Sequence, residues 1–162
     1  MAALVIPMDA EKPSLGDAEF SNPDKLLELI HGGQLLVVNS RRRNGLILFK
    51  GYHAEFAGPG AIVGGVFDAS CIRVIPVGDL SLVYPTSYDE RQPAYLIRRQ
   101  WIRLTHQFTE KPTAFDRAYA ILTQFENYFD SETVAQLPDD AFAMLVGVFP
   151  QTVRTARRYR DS

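Results

Sequence analysis

The sequence predicts an α+β fold, in which a small antiparallel β-roll near the N-terminus is followed by helices and a C-terminal helix-turn-helix. Three observations predict it. Between about residues 34 and 84, short runs rich in branched and aromatic residues alternate with turn-forming pairs at regular spacing, the pattern of a sandwich or roll. At Pro85 the character changes, and from Ala94 onward apolar residues recur at steps of three and four, as on a helix. Residues 138–161, PDDAFAMLVGVFPQTVRTARRYRD, then read as two short helices joined by a tight turn.

Residues 1–22 hold scattered Pro, Gly and Asp without a period, so a flexible arm is expected there. Asn22-Pro23-Asp24 starts a short helix to about His31 with Leu26, Leu27, Leu29 and Ile30 apolar, and Gly32-Gly33 ends it. Runs at 34–39 and 46–50 are strands, with Asn44-Gly45 closing a hairpin between them because both residues tolerate positive φ. Further strands are expected at 52–56, 61–67, 72–76 and 80–84, punctuated by Gly58-Pro59-Gly60 and Gly78-Asp79. A helix over about 91–111 carries Ala94, Ile97, Trp101, Leu104 and Phe108 as a lengthwise seam. Lys111-Pro112 breaks it. Thr113 caps the next helix with Asp116 three residues on, and Phe115, Ala118, Tyr119, Leu122 and Phe129 form the apolar face. Residues 133–137 read as a short extended link.

In the last segment Asp139 or Asp140 caps a helix whose apolar face is Phe142, Ala143, Leu145 and Val146. Gly147 supplies the positive φ of the bend, and Pro150 suits the first turn of the second helix, about 150–160. Val153 and Ala156 pack inward, toward Ala143 and Val148, and leave Gln151, Thr152, Arg154, Thr155, Arg157 and Arg158 on the surface. That surface has the chemistry needed to read duplex DNA. Arginine bonds guanine with two donors, glutamine does the same with adenine, and threonine contacts phosphate or a thymine methyl. Helical hairpins and solvated basic helix ends of this composition also occur without nucleic acid.

Composition bounds the alternatives. The 162 residues suffice for one small domain with an appendage or for two subdomains, and 46% hydrophobic content with ten Phe and seven Tyr is that of a globular chain. The single cysteine, Cys71, excludes an intrachain disulfide framework and a cysteine-rich zinc site, which suits a reducing cytoplasm. No apolar run approaches the roughly 20 residues of a membrane span, and residues 1–7 do not look like a signal peptide. The expectation is a soluble, cytoplasmic protein. A net charge of −2 argues against bulk coating of DNA, but arginines concentrate at 41–43, 98–103 and 154–160, and local patches set phosphate affinity.

The order of roll, connecting helix, second helix, short strand and helix-turn-helix resembles the cyclic-AMP receptor and fumarate-nitrate regulator (Crp/Fnr) family of bacterial transcription factors. DRAYAILTQF looks like the first helix of the family's C-terminal domain, ETVAQLPDDAFAMLVGV its short strand and first motif helix, and PQTVRTARR its recognition helix. The resemblance implies domains at 23–90 (helix plus β-roll), 91–111 (connecting and dimerisation helix) and 112–162 (DNA-binding domain). It implies a dimer interface through Ile97, Trp101, Leu104 and Phe108, although the same seam could pack on its own roll. In the family the roll's glycine-rich segment cradles a cyclic nucleotide. Here GPGAIVGGVFDASCIRV offers Gly60, Gly64, Gly65 and Arg73, but Gly65 stands where the family has an acidic residue, so a degenerate cyclic-nucleotide-binding-like roll with no cofactor is expected. The family's β-hairpin wing would follow the recognition helix, and the sequence stops at Ser162; DNA binding would then rely on a homodimer.

Other constellations are thin. His31, His53 and His106 lie on different elements, with only His53 and Glu55 closely spaced, so no metal site is expected. Cys71 reads as a small buried hydrophobe, and Arg41-Arg42-Arg43 as a basic hairpin tip that could touch flanking DNA or an acidic partner. No nucleophile triad, phosphate-binding loop or dinucleotide fingerprint supports an enzyme. The expected function is a transcriptional regulator with double-stranded DNA, a second copy and RNA polymerase or another protein as partners. The alternative is a degenerate regulator that acts as a protein–protein interaction module without DNA binding.

Overall fold

The computed structural model describes residues 5–7, 22–85 and 87–161. In order they form β1 (Val5–Pro7), α1 (Pro23–His31), β2 (Leu35–Val38), β3 (Asn44–Phe49), β4 (Ala54–Ala57), β5 (Ile62–Gly64), a 3-10 turn at Gly65–Asp68, β6 (Arg73–Gly78) and β7 (Leu82–Tyr84). Helices follow: α2 (Tyr88–Thr109), α3 (Ala114–Tyr128), α4 (Ser131–Gln136), α5 (Asp139–Val146) and α6 (Pro150–Asp161). Most of the arm expected over 1–22 lies outside the described residues, and 5–7 pair with β7 as a parallel strand.

The strands make two small sheets, ordered β1-β7-β2-β5 and β4-β3-β6, with every pairing but β1–β7 antiparallel. Among the described residues they do not close into a barrel. Side chains alternate between the two faces of a strand, and each face here meets a different layer. Leu36 and Val38, Leu46 and Leu48, Val63, Val74 and Leu82 fill the space between the sheets, where Leu26 and Ile30 of α1 join them. The opposite face of the first sheet, with Val37, Ile62 and Val83, lies under Ala94 of α2. The opposite face of the second, with Ile47, Phe49, Phe56 and Val77, is covered by α3, α5 and α6. Because β3 is buried on both faces, its residues 46–49 read as an unbroken apolar run.

The expected hairpin at Asn44-Gly45 does not form. β2 pairs with β5 and β7, whereas β3 belongs to the other sheet, and Asn44 and Gly45 lie within β3 opposite Gly78 and Val77. The asparagine is there for its side chain. Fully buried, it donates to the carbonyls of Asn39 and Arg42 and accepts from the Ser81 N–H (3.0 Å), so it pins the crossing between sheets.

Several helix boundaries follow the sequence expectation. Asn22 accepts from the N–H groups of Asp24 and Lys25, Thr113 from Asp116, and Gly147 takes the left-handed conformation at φ +70°. Two do not. Residues 133–137 lie largely in α4, because Asp130 caps the Thr133 N–H (2.7 Å) and buries Val134 one turn on. α5 starts behind Pro138, and Asp139 and Asp140 stand in its first turn, where arginines engage them.

Candidate functional site

α3, α5 and α6 pack on one another, and the turn between α5 and α6 is built from the inside. Phe142, Val146, Val153 and Ala156 are almost fully buried, and Gly147 bridges the helices with open space around its α-carbon. α6 is thereby divided lengthwise. On the inner side Arg157 donates to Asp139 (2.8 Å) and to the carbonyls of Val134 and Leu137, with its guanidinium over the Phe142 ring. Arg160 bonds Glu126 and Thr123 and lies over Tyr119. On the outer side Gln151, Arg154, Thr155 and Arg158 are exposed, with Thr152 between the two. Of the six residues expected to face DNA, Arg157 is therefore bound into the protein itself: its three donors hold α6 against the ends of α4 and α5. Arg154 lies 3.5 Å from Asp139 but keeps more than half of its side chain in solvent, and Thr155 Oγ1 donates to the Gln151 carbonyl.

The expected dimer seam is occupied within the chain. Trp101 packs against both apolar cores, stacks edge-on to Phe56 (5.3 Å) and donates its indole N–H to the Pro59 carbonyl. A β-carbon at Gly58 would lie 2.4 Å from its ring, so glycine is required for this contact. Leu104 and Phe108 line the crevice between α2 and α3, and Ile97 packs toward the space between the sheets. The buried positions of α2 are Ala94, Arg98 and Thr105, a stripe that shares Ala94 with the apolar one and is then rotated from it by one residue.

Arg98 accounts for the rotation and is what the sequence reading missed. With no exposed surface, it donates to both oxygens of Asp68 (2.9 and 3.1 Å), to Glu55 (2.8 Å) and to the Ile62 carbonyl (3.0 Å). Lys50 reaches Asp68 from the other side (2.9 Å), the Gly64 N–H donates to it (2.7 Å), and His53 donates to Glu55 (2.8 Å). Burial pushes the Asp68 and Glu55 carboxyls up. Hydrogen bonds and charge from Arg98, with Lys50 and Gly64 for Asp68 and with His53 and Lys50 for Glu55, outweigh it and hold both below their usual range. Two cations and two carboxylates thus form one largely buried, neutral network joining the end of β3, β4, the 3-10 turn and α2. The available signal was an arginine four residues after Ala94, on its stripe.

The network opens at His53 onto a groove of about 400 Å³, lined by Tyr52–Glu55, by Ile102, Thr105, His106 and Thr109 of α2, and by Met144, Leu145 and Gly147. His31 is elsewhere, donating to the Cys71 carbonyl (2.6 Å), and no cluster of three metal-ligating side chains occurs among the described residues. Burial pushes the Cys71 thiol up, away from the reactive thiolate. The glycines considered for a nucleotide are engaged in packing: Gly60 abuts Ile97, Gly65 abuts Leu35, and Arg73 turns to Asp140 (2.8 Å) over the Phe49 ring. Arg42 bonds Asp79 and Arg43 the Tyr128 carbonyl, so the basic tip is partly tied down.

Among the described residues no helix is long and apolar enough to cross a membrane. Comparison of the chain with protein-family models, with curated proteins and with solved structures gave no match.

Proposed function

We propose that the chain is a DNA-binding transcriptional regulator of the Crp/Fnr type, with α5 and α6 as a helix-turn-helix and α6 in the major groove. One observation carries this reading: the lengthwise division of α6, which commits Val153, Ala156, Arg157 and Arg160 to the protein and leaves Gln151, Arg154, Thr155 and Arg158 in solvent. Those four combine base-reading and phosphate-binding chemistry on one face. Arg73 and Arg157 offset the acidic start of α5, which would otherwise repel phosphate.

A homodimer would set two copies of α6 about 34 Å apart on a two-fold site. Since Trp101 and its seam serve the chain's own cores, the second copy falls to the outer face of α2, where Tyr88 and Leu96 stand exposed. The test is competition binding to duplexes selected from a random pool. Gln151→Ala and Arg154→Ala are expected to erase preference for the selected site, and Arg158→Ala to weaken binding to all sequences alike. A protein that selects no duplex would leave the interaction-module alternative.

A further inference from the structure

We propose that the groove beside the buried network binds a small carboxylic acid, with its carboxylate on His53 and His106 and its apolar body on Ile102, Met144 and Leu145. The inference goes beyond the DNA-binding reading and does not depend on it. The groove is bounded by three stretches far apart in the chain: residues 52–55, the last two turns of α2, and the end of α5 with Gly147. Its volume of about 400 Å³ is that of a small-molecule site. Ala54, Ile102, Met144 and Leu145 supply much of the wall, so most of an occupant's surface meets apolar groups.

Hydrogen bonds already made within the protein select the head group. Thr105 and Thr109 donate their hydroxyl protons to the carbonyls of Trp101 (3.1 Å) and His106 (2.6 Å), so neither has a proton left for a ligand. Glu55 is the one Asp or Glu on the lining among the described residues, and its oxygens are bonded to Arg98 and His53. A cationic ligand therefore finds no uncommitted carboxylate. Apart from the Tyr52 hydroxyl, which stands in solvent, the side-chain donors that remain are imidazoles. His53 gives Nε2 to Glu55 and keeps Nδ1, and the His106 ring has no partner among the described residues. Each imidazole can take up a proton and become a charged donor, and a charge-assisted bond is about twice as strong as a neutral one. Lys50 and Arg98 already balance Asp68 and Glu55, so a proton on either histidine adds a charge that the network does not cancel. An anion cancels it. Phosphate is the poorer fit, because no arginine or lysine lines the groove among the described residues.

Calorimetric titration of the full chain with phenylacetate and with hexanoate tests this, since the two set an aromatic and an aliphatic body on the same head group. Saturable binding of either acid at about 1 mM or tighter is expected, as ligands of this size allow. Phenylacetamide and hexanamide keep the shape and lose the charge, and are expected to bind about tenfold more weakly. His53→Gln and His106→Gln are each expected to weaken binding of the acid about tenfold, the loss of one charge-assisted bond. Both variants should melt as wild type does, because glutamine can still donate to Glu55 and the His106 ring has no partner to lose. No saturable binding of either acid overturns the proposal, and so does an amide that binds as tightly as its acid. Acid binding that neither histidine variant weakens lies elsewhere on the protein and overturns it too. Failure of the chain to select a DNA duplex leaves these titrations unaffected, so the two readings fail separately.

Discussion

Arg98 is the side chain whose loss the structure makes most costly. Its guanidinium is fully enclosed and holds Asp68, Glu55 and the Ile62 carbonyl, so Arg98→Ala would leave two buried carboxylates short of their main cation. Removing one partner of a buried pair costs about 3–5 kcal/mol, and urea titration of Arg98→Ala should show a loss of that order. The same network fixes an acid limit. Because Asp68 and Glu55 lie below their usual values in the folded state, the unfolded chain binds more protons in acid. Their contribution is complete above the unfolded values, about pH 4, and drains away as pH falls through the folded ones. Wild type should therefore lose stability steeply below about pH 4, and Arg98→Ala should lose less over that range, since burial then opposes the depression. A parallel fall in both proteins would show that the network is not its source. Asn44 makes the complementary point with neutral groups: Asn44→Ala orphans two carbonyls and the Ser81 N–H, at a cost of about 1–3 kcal/mol each where no water replaces it.

At the scale of elements, α6 separates two kinds of arginine. Arg157→Ala should lower the unfolding midpoint, because it removes three donors that bind α6 to Asp139 and the carbonyls at the end of α4. Arg158→Ala, exposed on the outer side, should leave that midpoint within experimental error and change only the binding that salt screens. Equal effects on stability would contradict the division. The turn gives a second contrast: Gly147→Ala has room for its methyl, so its cost is that of the left-handed backbone alone, about 1–2 kcal/mol. This hairpin was legible because its signals are local. A glycine at fixed offset, a proline just inside the second helix and Val153 with Ala156 on one face all act within a few residues. The β2–β3 crossing was not legible, because Asn-Gly specifies a turn only when nothing else needs the asparagine, and here its partners include Ser81, far along the chain. α4 was hidden for a related reason: Thr133 and Val134 favour strands, and the cap at Asp130 outweighs them. On α2 the period was right and the buried stripe was off by one, since apolar patterning gives no weight to an arginine neutralised by Asp68 from another element.

At the scale of the whole molecule, the sequence division at about residue 112 does not correspond to a division of the core. Phe56 of β4 contacts Trp101 of α2, Phe125 of α3 and Phe129 just after α3, with ring centroids 5.0 to 6.1 Å apart, and Phe125 contacts Phe142 of α5. Sheet and helices thus share one aromatic cluster, and α5 packs directly on β4. The helices at 112–162 bury their apolar face against Ile47, Phe49, Phe56 and Val77, so as a separate fragment they would expose it. We expect the full chain to unfold in one transition with equal calorimetric and van't Hoff enthalpies, and the 112–162 fragment to lack cooperative unfolding. Trp101 stands where the two apolar cores meet. Trp101→Glu would place a carboxylate against Phe56 and the Gly58 backbone, a burial of charge without a partner. Its expected outcome is loss of the folded state, seen as a collapse of the thermal transition. Leu96→Glu, on the exposed outer face of α2, should instead melt as wild type does and run as a monomer in light scattering if that face joins two copies. A folded Trp101→Glu protein that differs from wild type only in oligomeric state would return the seam to the dimer interface. A fragment 112–162 that melts cooperatively would restore the division into separate domains.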